Sequence, residues 1–317
     1  MKDDYPFVFV KQQRQAMSNN KPSVIVISSH VVRGTVGNRA AAFALEVMGY
    51  PIWIVPTVIL PWHPGHGPAD RITPPAAEFD QLMADLTRAP WLGEVGAVLS
   101  GYLGNRSQVD AVARLVDAVK QKNPDAVYAL DPVIGDAAEN GEGRLYVSEE
   151  QAAAMRDTLV GRADLITPNP FELGWLTGRE LPTNQESLRQ AATEINVKKV
   201  LATSAPALMQ GHIGNLLVLN STEKPQAYLA EHRLVDGPPN GTGDLAAALM
   251  LGNLLQAGDE GGAVDALQKS TASLAEIMML AATAGSDELP LEASLASIIR
   301  PRAPIVARKL MVTKALP

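Results

Sequence analysis

The residues that could do chemistry are concentrated first in a short polar run, residues 240–244, with the sequence Asn-Gly-Thr-Gly-Asp. An apolar stretch follows over residues 245–251 and has the composition of a helix. Gly241 and Gly243 let the backbone turn sharply before that helix and approach another molecule closely. The unpaired N–H groups at a helix start attract anions. Gly241, Thr242 and Gly243 are therefore candidates for binding a phosphoryl group.

Asp244 is the unexpected residue of this run, because a carboxylate beside a bound phosphate would repel it. The arrangement makes chemical sense if the carboxylate takes a proton from the group that attacks the phosphate. An anion-binding turn with a base beside it indicates a kinase. The alternative is structural. An acidic residue in the first turn of a helix complements the helix dipole, and a lone Gly-x-Gly-Asp is often a plain turn.

Buried strands alternate with helices along most of the chain, and these elements must position the polar run. Apolar and β-branched stretches predict strands at residues 23–28, 52–56, 97–100, 127–130, 164–167, 199–203, 214–219 and 226–230. Pro56 indicates an edge strand or the end of a strand. The alternation of strand and helix predicts an α/β fold, with one mostly parallel sheet and helices on both of its faces.

Two connections are predicted to be irregular, and one helix start is predicted from its cap. Residues 60–68 are too rich in proline and glycine for regular structure, and loops of this kind often serve function. Residues 136–144 are predicted as a polar, glycine-rich loop. Thr183 together with Glu186 is predicted to cap the helix that follows them.

Polar residues collect where the predicted strands end. Ligands of open parallel sheets bind outside the carboxyl ends of the strands. The residues at or just after these ends are Ser29, Tyr102, Asp131, Asn169, Glu172 and Thr203. Carboxylate and amide oxygens there suit Mg²⁺, which prefers oxygen ligands, keeps most of its waters and bridges nucleotide phosphates. The alternative is that Asp131 and Asn169 merely cap their loops and helices.

The composition of the chain argues against several classes of protein. Of its 317 residues 46% are hydrophobic, which is enough for a large core. The 27 basic and 34 acidic residues give a net charge of −7, which argues against nucleic acid as the main partner. The absence of cysteine excludes disulfides and cysteine nucleophiles and suits a reducing compartment. No apolar stretch is long enough to span a bilayer and no secretory pattern is seen, so we expect a soluble cytoplasmic protein.

The chain is predicted to consist of one folded domain and a short extension. Residues 1–22 are predicted to be an N-terminal extension, because they are polar after Val10 and end in Ser-Asn-Asn-Lys-Pro. No interdomain linker interrupts the strand–helix pattern after them. Residues 23–317 are therefore predicted to form a single domain.

Five motifs occur along the chain in a fixed order. They are Ser29-His30-Val31-Val32 followed by Gly34, Gly37 and Asn38, then Ser100-Gly101-Tyr102-Leu103-Gly104, Asp131-Pro132-Val133 with Gly135, Thr167-Pro168-Asn169 with Glu172, and Gly241-Thr242-Gly243-Asp244. Together they resemble the pyridoxal kinase family of the ribokinase-like superfamily, over residues 23–282. The last two motifs are shared across the superfamily, including its sugar and hydroxymethylpyrimidine kinases. The first two are much more specific to the pyridoxal branch.

The resemblance implies a ribokinase-like three-layer α/β/α sandwich and an enzyme that uses ATP and Mg²⁺. Such an enzyme phosphorylates the 5′-hydroxymethyl group of pyridoxal, or of the related pyridoxine and pyridoxamine, and forms pyridoxal 5′-phosphate from pyridoxal. Asp244 would deprotonate the 5′-hydroxyl. The amides of Gly241, Thr242 and Gly243 would form the anion hole for the γ-phosphoryl group.

The resemblance also assigns residues to the metal, the nucleotide and the substrate. Asp131 and Glu172 would hold Mg²⁺ through waters. The residues on the nucleotide side would be Asn169, with Thr167 and Thr203 at the phosphates, and His232, Arg233, Leu234 and Val235 at the adenine or ribose. On the substrate side, Ser29 would bind the polar edge of the pyridine ring and Tyr102 would lie against the ring. His63 would belong to a substrate loop.

Several properties stay open at this point. Arg33 stands where the family often has an aromatic residue, and the substrate loop has Trp62, Pro64, Gly65 and His66 in its middle. The preference among the three vitamers is therefore open, as is the use of a monovalent cation such as K⁺. The family implies a homodimer. The alternative functions are a hydroxymethylpyrimidine kinase and a non-catalytic vitamer-binding protein of the same fold.

Overall fold

A nine-stranded sheet runs through the centre of the computed structural model, which describes residues 21–137, 142–220, 224–258 and 262–310. The strands of the protein are β1 Ser23–Val31, β2 Ile52–Leu60, β3 Val95–Ser100, β4 Val127–Leu130, β5 Gly135–Ala137, β6 Gly143–Leu145, β7 Leu165–Ile166, β8 Lys199–Pro206, β9 His212–Leu219, β10 Gln226–Arg233 and β11 Arg308–Leu310. Their order in the large sheet is β11-β10-β9-β8-β7-β4-β3-β1-β2. The strands from β2 to β8 in that order are parallel, and β9, β10 and β11 extend the sheet in antiparallel fashion.

Helices cover both faces of this sheet. They are α1 Asn38–Val47, α2 Ala76–Thr87, α3 Ser107–Lys122, α4 Glu149–Thr158, α5 Pro170–Thr177, α6 Gln185–Glu194, α7 Thr242–Ala257, α8 Gly262–Ala284 and α9 Leu295–Ile299. Among the residues that are described, no helix has the length and apolar character needed to cross a membrane.

The alternation of buried side chains along β1 explains why two helical layers are needed. Val24 and Val26 belong to one hydrophobic core, Ile25 and Ile27 belong to the other, and all four are fully buried. The first core is completed by α1, α7 and α8, and the second by α2 to α6. A strand that is apolar on both faces must be covered on both faces. The predicted α/β/α sandwich with a mostly parallel sheet is therefore confirmed.

A small hairpin occupies the region that was predicted as a loop at residues 136–144. The strands β5 and β6 pair in antiparallel fashion there, and residues 138–141 lie outside the described residues. The ring of Phe171 packs on Gly135 and Gly143, where an added Cβ would lie 2.4 Å and 2.1 Å from ring atoms. Glycine is therefore required at both positions by the packing of the hairpin. Because glycine is uncommon inside strands, the same residues made the segment look like a loop in the sequence.

One local prediction needs correction, and for Pro56 the structure selects the edge strand from the two predicted alternatives. Helix α6 is capped by Asn184, whose side chain accepts a hydrogen bond from the N–H of Ser187 at 2.9 Å, and not by Thr183 with Glu186. The shift arises because threonine and asparagine are both good caps, so the pattern alone does not choose between adjacent positions. Pro56 does not end β2, which continues beyond it. Strand β2 is the edge of the sheet, and an edge strand tolerates a residue without an N–H donor.

The predicted N-terminal extension lies mostly outside the described residues, which begin at Lys21. The ammonium group of Lys21 donates to the carbonyl oxygen of Met48 at 2.6 Å and lies 4.6 Å from the centre of the Tyr50 ring. The last residues of the predicted extension therefore contact the end of α1. The division of the chain at residue 22, and the single domain after it, stay predictions.

Candidate active site

A cleft of about 850 Å³ opens where the parallel strands end, and it collects most of the predicted site residues. These residues come from nearly every crossover connection of the sheet. Those that line the cleft are Ser29, His63, Tyr102, Asp131, Thr167, Asn169, Glu172, Thr203, His232, Leu234, Val235, Gly241, Thr242, Gly243 and Asp244. A topology of parallel strands brings them together, because consecutive strands end at the same edge.

Asp244 stands in the first turn of α7, directly after the predicted anion-binding turn. Its Oδ2 accepts a hydrogen bond from the N–H of Gly37 at 2.8 Å. Burial raises the pKa of Asp244 to about 6, against the opposing effect of the hydrogen bonds from the N–H groups of Gly37 and of Asp244 itself. This carboxylate is ionised at neutral pH and is a better base than an exposed aspartate.

Two backbone turns meet at the start of α7, and each contains a glycine that has no room for a side chain. Gly241 has a φ of 88°, and an added Cβ would lie 2.2 Å from the carbonyl oxygen of Thr35. Gly37 has a φ of 58°, and its Cβ would lie 2.3 Å from the carbonyl oxygen of Ser29. The turn between β1 and α1 is therefore in direct contact with the turn before α7. This contact fixes the N–H groups of the candidate anion hole relative to Asp244.

Helix α7 holds these groups from a fully buried position. Its side chains from residue 245 to residue 251 are at most 4% exposed. It belongs to the same hydrophobic core as α1 and α8. A helix that is apolar all round is buried all round, and the close packing of a core opposes any tilt of its axis.

Asp131 follows β4 and is held by the end of the neighbouring strand β7. The side chain of Asp131 is buried, and its Oδ1 accepts a hydrogen bond from the Thr167 hydroxyl at 3.0 Å. The backbone N–H of Thr167 donates in turn to the carbonyl of Leu130 at 3.0 Å. Asp131 and Thr167, two polar residues at adjacent strand ends, are thus in direct contact.

Glu172 and Asn169 form a capping box at the start of α5. The N–H of Asn169 donates to Glu172 Oε2 and the N–H of Ile134 donates to Glu172 Oε1, both at 2.9 Å. Asn169 therefore caps a helix, which is the structural alternative that the sequence left open for this residue. Val133, which precedes Ile134, has a φ of 43°, an outlier for a β-branched residue. Such strain is tolerated where the surroundings fix the backbone, as they do around an active site.

The electrostatics of the cleft favour a cation. Burial raises the pKa of Asp131 well above its ordinary value, and the charges of Glu172 and then Asp244 raise it further. Burial also raises the pKa of Glu172 to about 7, against hydrogen bonds from backbone N–H groups. Both Glu172 oxygens already accept such bonds, which suits binding through water. Across the described ranges no group of three or more His, Asp or Glu residues is arranged to hold a metal. A pair of carboxylates suits Mg²⁺, which retains most of its waters.

The raised pKa of Glu172 predicts how the stability of the metal-free protein depends on pH. Between its ordinary pKa of 4.5 and the folded value of about 7, the folded state holds a proton that the unfolded chain has lost. Stability therefore falls as the pH rises through this range. We expect the Tm to fall by roughly 5 °C or more from pH 5 to pH 8. Thermal unfolding followed by fluorescence measures this slope.

Magnesium supplies the matched comparison for this experiment. Millimolar Mg²⁺ should flatten the slope by stabilising the ionised carboxylates, whereas a potassium salt at equal ionic strength should not. A Tm that rises with pH, or a slope that is equal in both salts, would contradict the assignment of Asp131 and Glu172.

The residues assigned to the substrate line the cleft, and one of them, Tyr102, contacts a cation that the sequence did not reveal. Ser29 lies near the end of β1, and Tyr102 follows β3. The Tyr102 hydroxyl accepts a hydrogen bond from Arg71 Nη1 at 2.8 Å, and Arg71 also lines the cleft. Arg71 returns to the site because Ile72 makes an antiparallel bridge with Ile59 in β2. A single bridge of this kind leaves no periodic signal in the sequence.

The residues assigned to the nucleotide also line the cleft, with one exception. Thr203 donates its N–H to the carbonyl of Pro168 at 3.0 Å, and burial lowers the pKa of His232. Arg233 is exposed and lies outside the cleft, where it lines a separate depression. Successive side chains of a strand point to opposite faces, so β10 directs His232 and Arg233 in different directions.

The hairpin adds residues to the cleft that were not predicted. Asp136, Arg144 and Tyr146 line it, and burial raises the pKa of the Asp136 carboxyl. The polar, glycine-rich character of residues 136–144 was the available signal. This character indicated an unusual segment, but it could not predict which of its side chains line the cleft.

Comparisons with known proteins find one matching family model and several relatives named pyridoxal kinase. A family model for phosphomethylpyrimidine kinase matches residues 77–290. The pyridoxal kinase PdxY of Corynebacterium diphtheriae is 33% identical over 287 residues, which are 88% of this chain and 96% of that protein. The pyridoxal kinase of Ovis aries is 36% identical over 238 residues, which are 72% of this chain and 76% of that protein.

A solved structure gives the same result at the level of the fold. The pyridoxal kinase from Leishmania donovani in complex with ADP and pyridoxamine matches with a TM-score of 0.82 and 28% identity. The match covers 92% of this chain and 100% of that one. The sheet, the cleft and these likenesses define a small-molecule kinase of the ribokinase-like superfamily. Within that superfamily, the chain belongs to the pyridoxal kinase family.

Proposed function

We propose that this chain transfers the γ-phosphoryl group of ATP to the 5′-hydroxymethyl oxygen of pyridoxal, giving ADP and pyridoxal 5′-phosphate. The observation that carries the proposal is the place of Asp244, which shares one cleft with the amides of Gly241 to Gly243 and with Asp131 and Glu172. The relatives named pyridoxal kinase support the substrate. The relative bound to ADP and pyridoxamine supports the nucleotide and a second vitamer.

Each residue of the cleft has a part in this reaction. The Asp244 carboxylate accepts the proton of the 5′-hydroxyl while the hydroxyl oxygen forms a bond to the γ-phosphorus. The bond from that phosphorus to the oxygen bridging to the β-phosphate breaks, and ADP leaves. The N–H groups of Gly241, Thr242 and Gly243 stabilise the charge on the transferred group. Because such transition states are loose, positioning and charge stabilisation supply most of the acceleration.

Asp131 and Glu172 are the residues that would hold Mg²⁺ through waters, and the ion supplies positive charge beside the nucleotide phosphates. Thr167 hydrogen-bonds to Asp131 and Asn169 to Glu172, and the N–H of Thr203 donates to Pro168, which lies between Thr167 and Asn169 in the chain. Thr167, Asn169 and Thr203 are placed to orient the phosphates with hydroxyl and amide groups.

The Asp131→Asn variant is expected to need about 10- to 100-fold more Mg²⁺ for half-maximal rate, which is the usual effect of removing a residue that orients a bound metal. The amide keeps the size of the side chain but loses its charge. A titration of the rate with Mg²⁺ at saturating ATP measures this shift. Asp110→Asn, an equal charge change at a residue of α3 that does not line the cleft, should leave the titration unchanged. An unaltered titration in Asp131→Asn would remove this residue from the metal site.

A coupled assay of phosphate transfer tests the proposed function against its alternatives. Purified protein is given Mg-ATP with pyridoxal, pyridoxine, pyridoxamine or hydroxymethylpyrimidine. Turnover of a vitamer supports the proposal and also settles the preference among the three. Turnover of the pyrimidine far above that of every vitamer would identify a hydroxymethylpyrimidine kinase. Binding of pyridoxal without transfer would identify a non-catalytic protein, against which the complete Gly-Thr-Gly-Asp sequence argues.

We also propose that the protein is a cytoplasmic homodimer. The family resemblance supports the dimer, and the cysteine-free sequence suits a reducing compartment. Light scattering coupled to gel filtration should give twice the chain mass of 33.7 kDa. A mass equal to one chain at micromolar concentration would contradict the dimer.

A further inference from the structure

Glu288 connects the end of α8 to two loops that precede it by more than 200 positions in the chain. Its Oε2 accepts hydrogen bonds from the N–H of Thr35 at 2.9 Å and from the hydroxyl of Thr35 at 3.1 Å. Its Oε1 lies 3.1 Å from Nε2 of His66 and accepts a longer hydrogen bond from Arg33 at 3.5 Å. Only 16% of the Glu288 side chain is exposed. One carboxylate thus holds two separate loops.

The first of these loops is the turn that contacts Asp244. Thr35 is buried, and its carbonyl oxygen occupies the place where a Cβ on Gly241 would lie. Two residues further on, the N–H of Gly37 donates to Asp244. A displacement of Thr35 would therefore move both the hydrogen-bond donor of Asp244 and the wall behind the candidate anion hole.

The second of these loops is the predicted substrate loop, which carries His63. His66 ends the short helical turn Pro64–His66, and the residue before that turn is His63, which caps it through Nδ1. His63, Pro64 and Gly65 line the cleft, whereas His66 points back to the carboxylates of Glu288 and Asp287. The contact with Glu288 therefore holds the loop in the position that places His63 in the cleft.

We propose that Glu288 is a positioning residue for phosphoryl transfer, which holds the Asp244-contacting turn and the substrate loop in register through a single carboxylate. The inference rests on the proposed function of the cleft. Hydrogen bonds to an ionised carboxylate are about twice as strong as neutral ones, so the charge matters as well as the shape. Displacements of about 1 Å far from the reacting atoms can cost about 100-fold in rate.

A purely structural role predicts a different result from a positioning role. If Glu288 only anchors the C-terminal part of the chain, its loss lowers the Tm and the amount of folded enzyme but leaves both KM values unchanged. If it positions the two loops, its loss lowers kcat through Asp244 and raises the KM for the vitamer through the substrate loop. The KM for ATP should change little, because among the described residues none of the hydrogen bonds of the Glu288 side chain goes to a residue assigned to the nucleotide.

The test compares Glu288→Gln with Asp287→Asn in the full-length enzyme, using pyridoxal and Mg-ATP. We expect Glu288→Gln to lower kcat about 10-fold and to raise the KM for pyridoxal about fivefold, with the KM for ATP within about twofold of wild type. Asp287→Asn removes the same charge from the adjacent residue. The carboxylate of Asp287 lies 3.3 Å from Nδ1 of His66, and its side chain is 67% exposed. This variant should stay within about twofold in every parameter.

Two further variants separate the loops and keep the test decisive if Glu288→Gln folds poorly. Thr35→Val should lower kcat with little change in the KM for pyridoxal, and His66→Ala should raise that KM with little change in kcat. Wild-type kinetics in both variants, or a loss in Glu288→Gln that equals the loss of folded protein at unchanged KM, would overturn the proposal. If wild-type enzyme phosphorylates no vitamer, the proposed function itself fails, and this result is distinct from an inactive variant of an active enzyme.

Discussion

Replacing Asp244 by asparagine should lower kcat about 1,000-fold, within the range of about 10² to 10⁴ that a general base contributes. Asparagine cannot accept the proton of the 5′-hydroxyl, but its carbonyl oxygen can still accept the hydrogen bond from Gly37. The affinity for ATP should stay within a few-fold, because the residue acts on the alcohol. Steady-state kinetics and calorimetric titration with nucleotide measure the two quantities separately.

The matched control for this variant is Asp265→Asn. Asp265 is also an acidic residue in the first turn of a helix, α8, but it is exposed and lies outside the cleft. It should change kcat by less than about twofold, since a complement to a helix dipole contributes under 1 kcal/mol. Equal effects of the two substitutions would show that Asp244 serves only the helix, and unchanged turnover in Asp244→Asn would remove it from the mechanism.

The pH dependence of the rate offers a second measure of the same residue. The pKa of about 6 for Asp244 is raised by burial, and the base acts only when it is ionised. The value of kcat/KM should therefore fall as the pH drops through about 6, rather than near the ordinary aspartate value of about 4. The limb should disappear in Asp244→Asn. A wild-type limb near pH 4 would contradict the effect of burial.

Replacing Gly241 by alanine should lower kcat/KM for ATP by at least about 100-fold, the usual effect of losing one anion-hole donor. The new Cβ would lie 2.2 Å from the carbonyl oxygen of Thr35, so one of the two turns must move. The moved turn carries either the N–H groups of the anion hole or the donor to Asp244. Initial rates at varied ATP measure the loss, and circular dichroism checks that the variant is folded.

Gly258→Ala controls for the backbone conformation alone. Gly258 ends the same helix with a φ of 76°, close to the 88° of Gly241, but an added Cβ there meets no atom within 4 Å. This variant should lose about 1 kcal/mol of stability from its left-handed conformation and keep its kinetics. If Gly241→Ala behaves in the same way, the close contact with Thr35 has no part in catalysis.

The sequence was sufficient to predict which residues come together where the parallel strands end. Asp131, Asn169 and Thr203 could be placed near one another because parallel strands end at one edge of the sheet, and all three line the cleft. The fold class followed from the same alternation of buried strands with helices. The roles of these residues in binding and transfer stay predictions, which the variants above test.

Contacts between distant loops could not be predicted in this way. Gly37 donates to Asp244 across 207 positions, and His66 meets Glu288 across 222. No periodic pattern records which loops meet at that distance. Arg71 was missed for the same reason, since one bridge between Ile59 and Ile72 returns it to the cleft.

The burial of residues 245–253 of α7 has a consequence for how this enzyme could change its substrate. Its rigid start leaves almost no freedom to adjust the site of bond making and breaking, whereas residues 61–71 lie at the surface and are joined to the sheet mainly through β2. New alcohols can therefore be accepted by exchanging that surface segment alone. A graft of residues 61–71 from a relative with a different vitamer preference should transfer the preference and leave the phosphate chemistry intact.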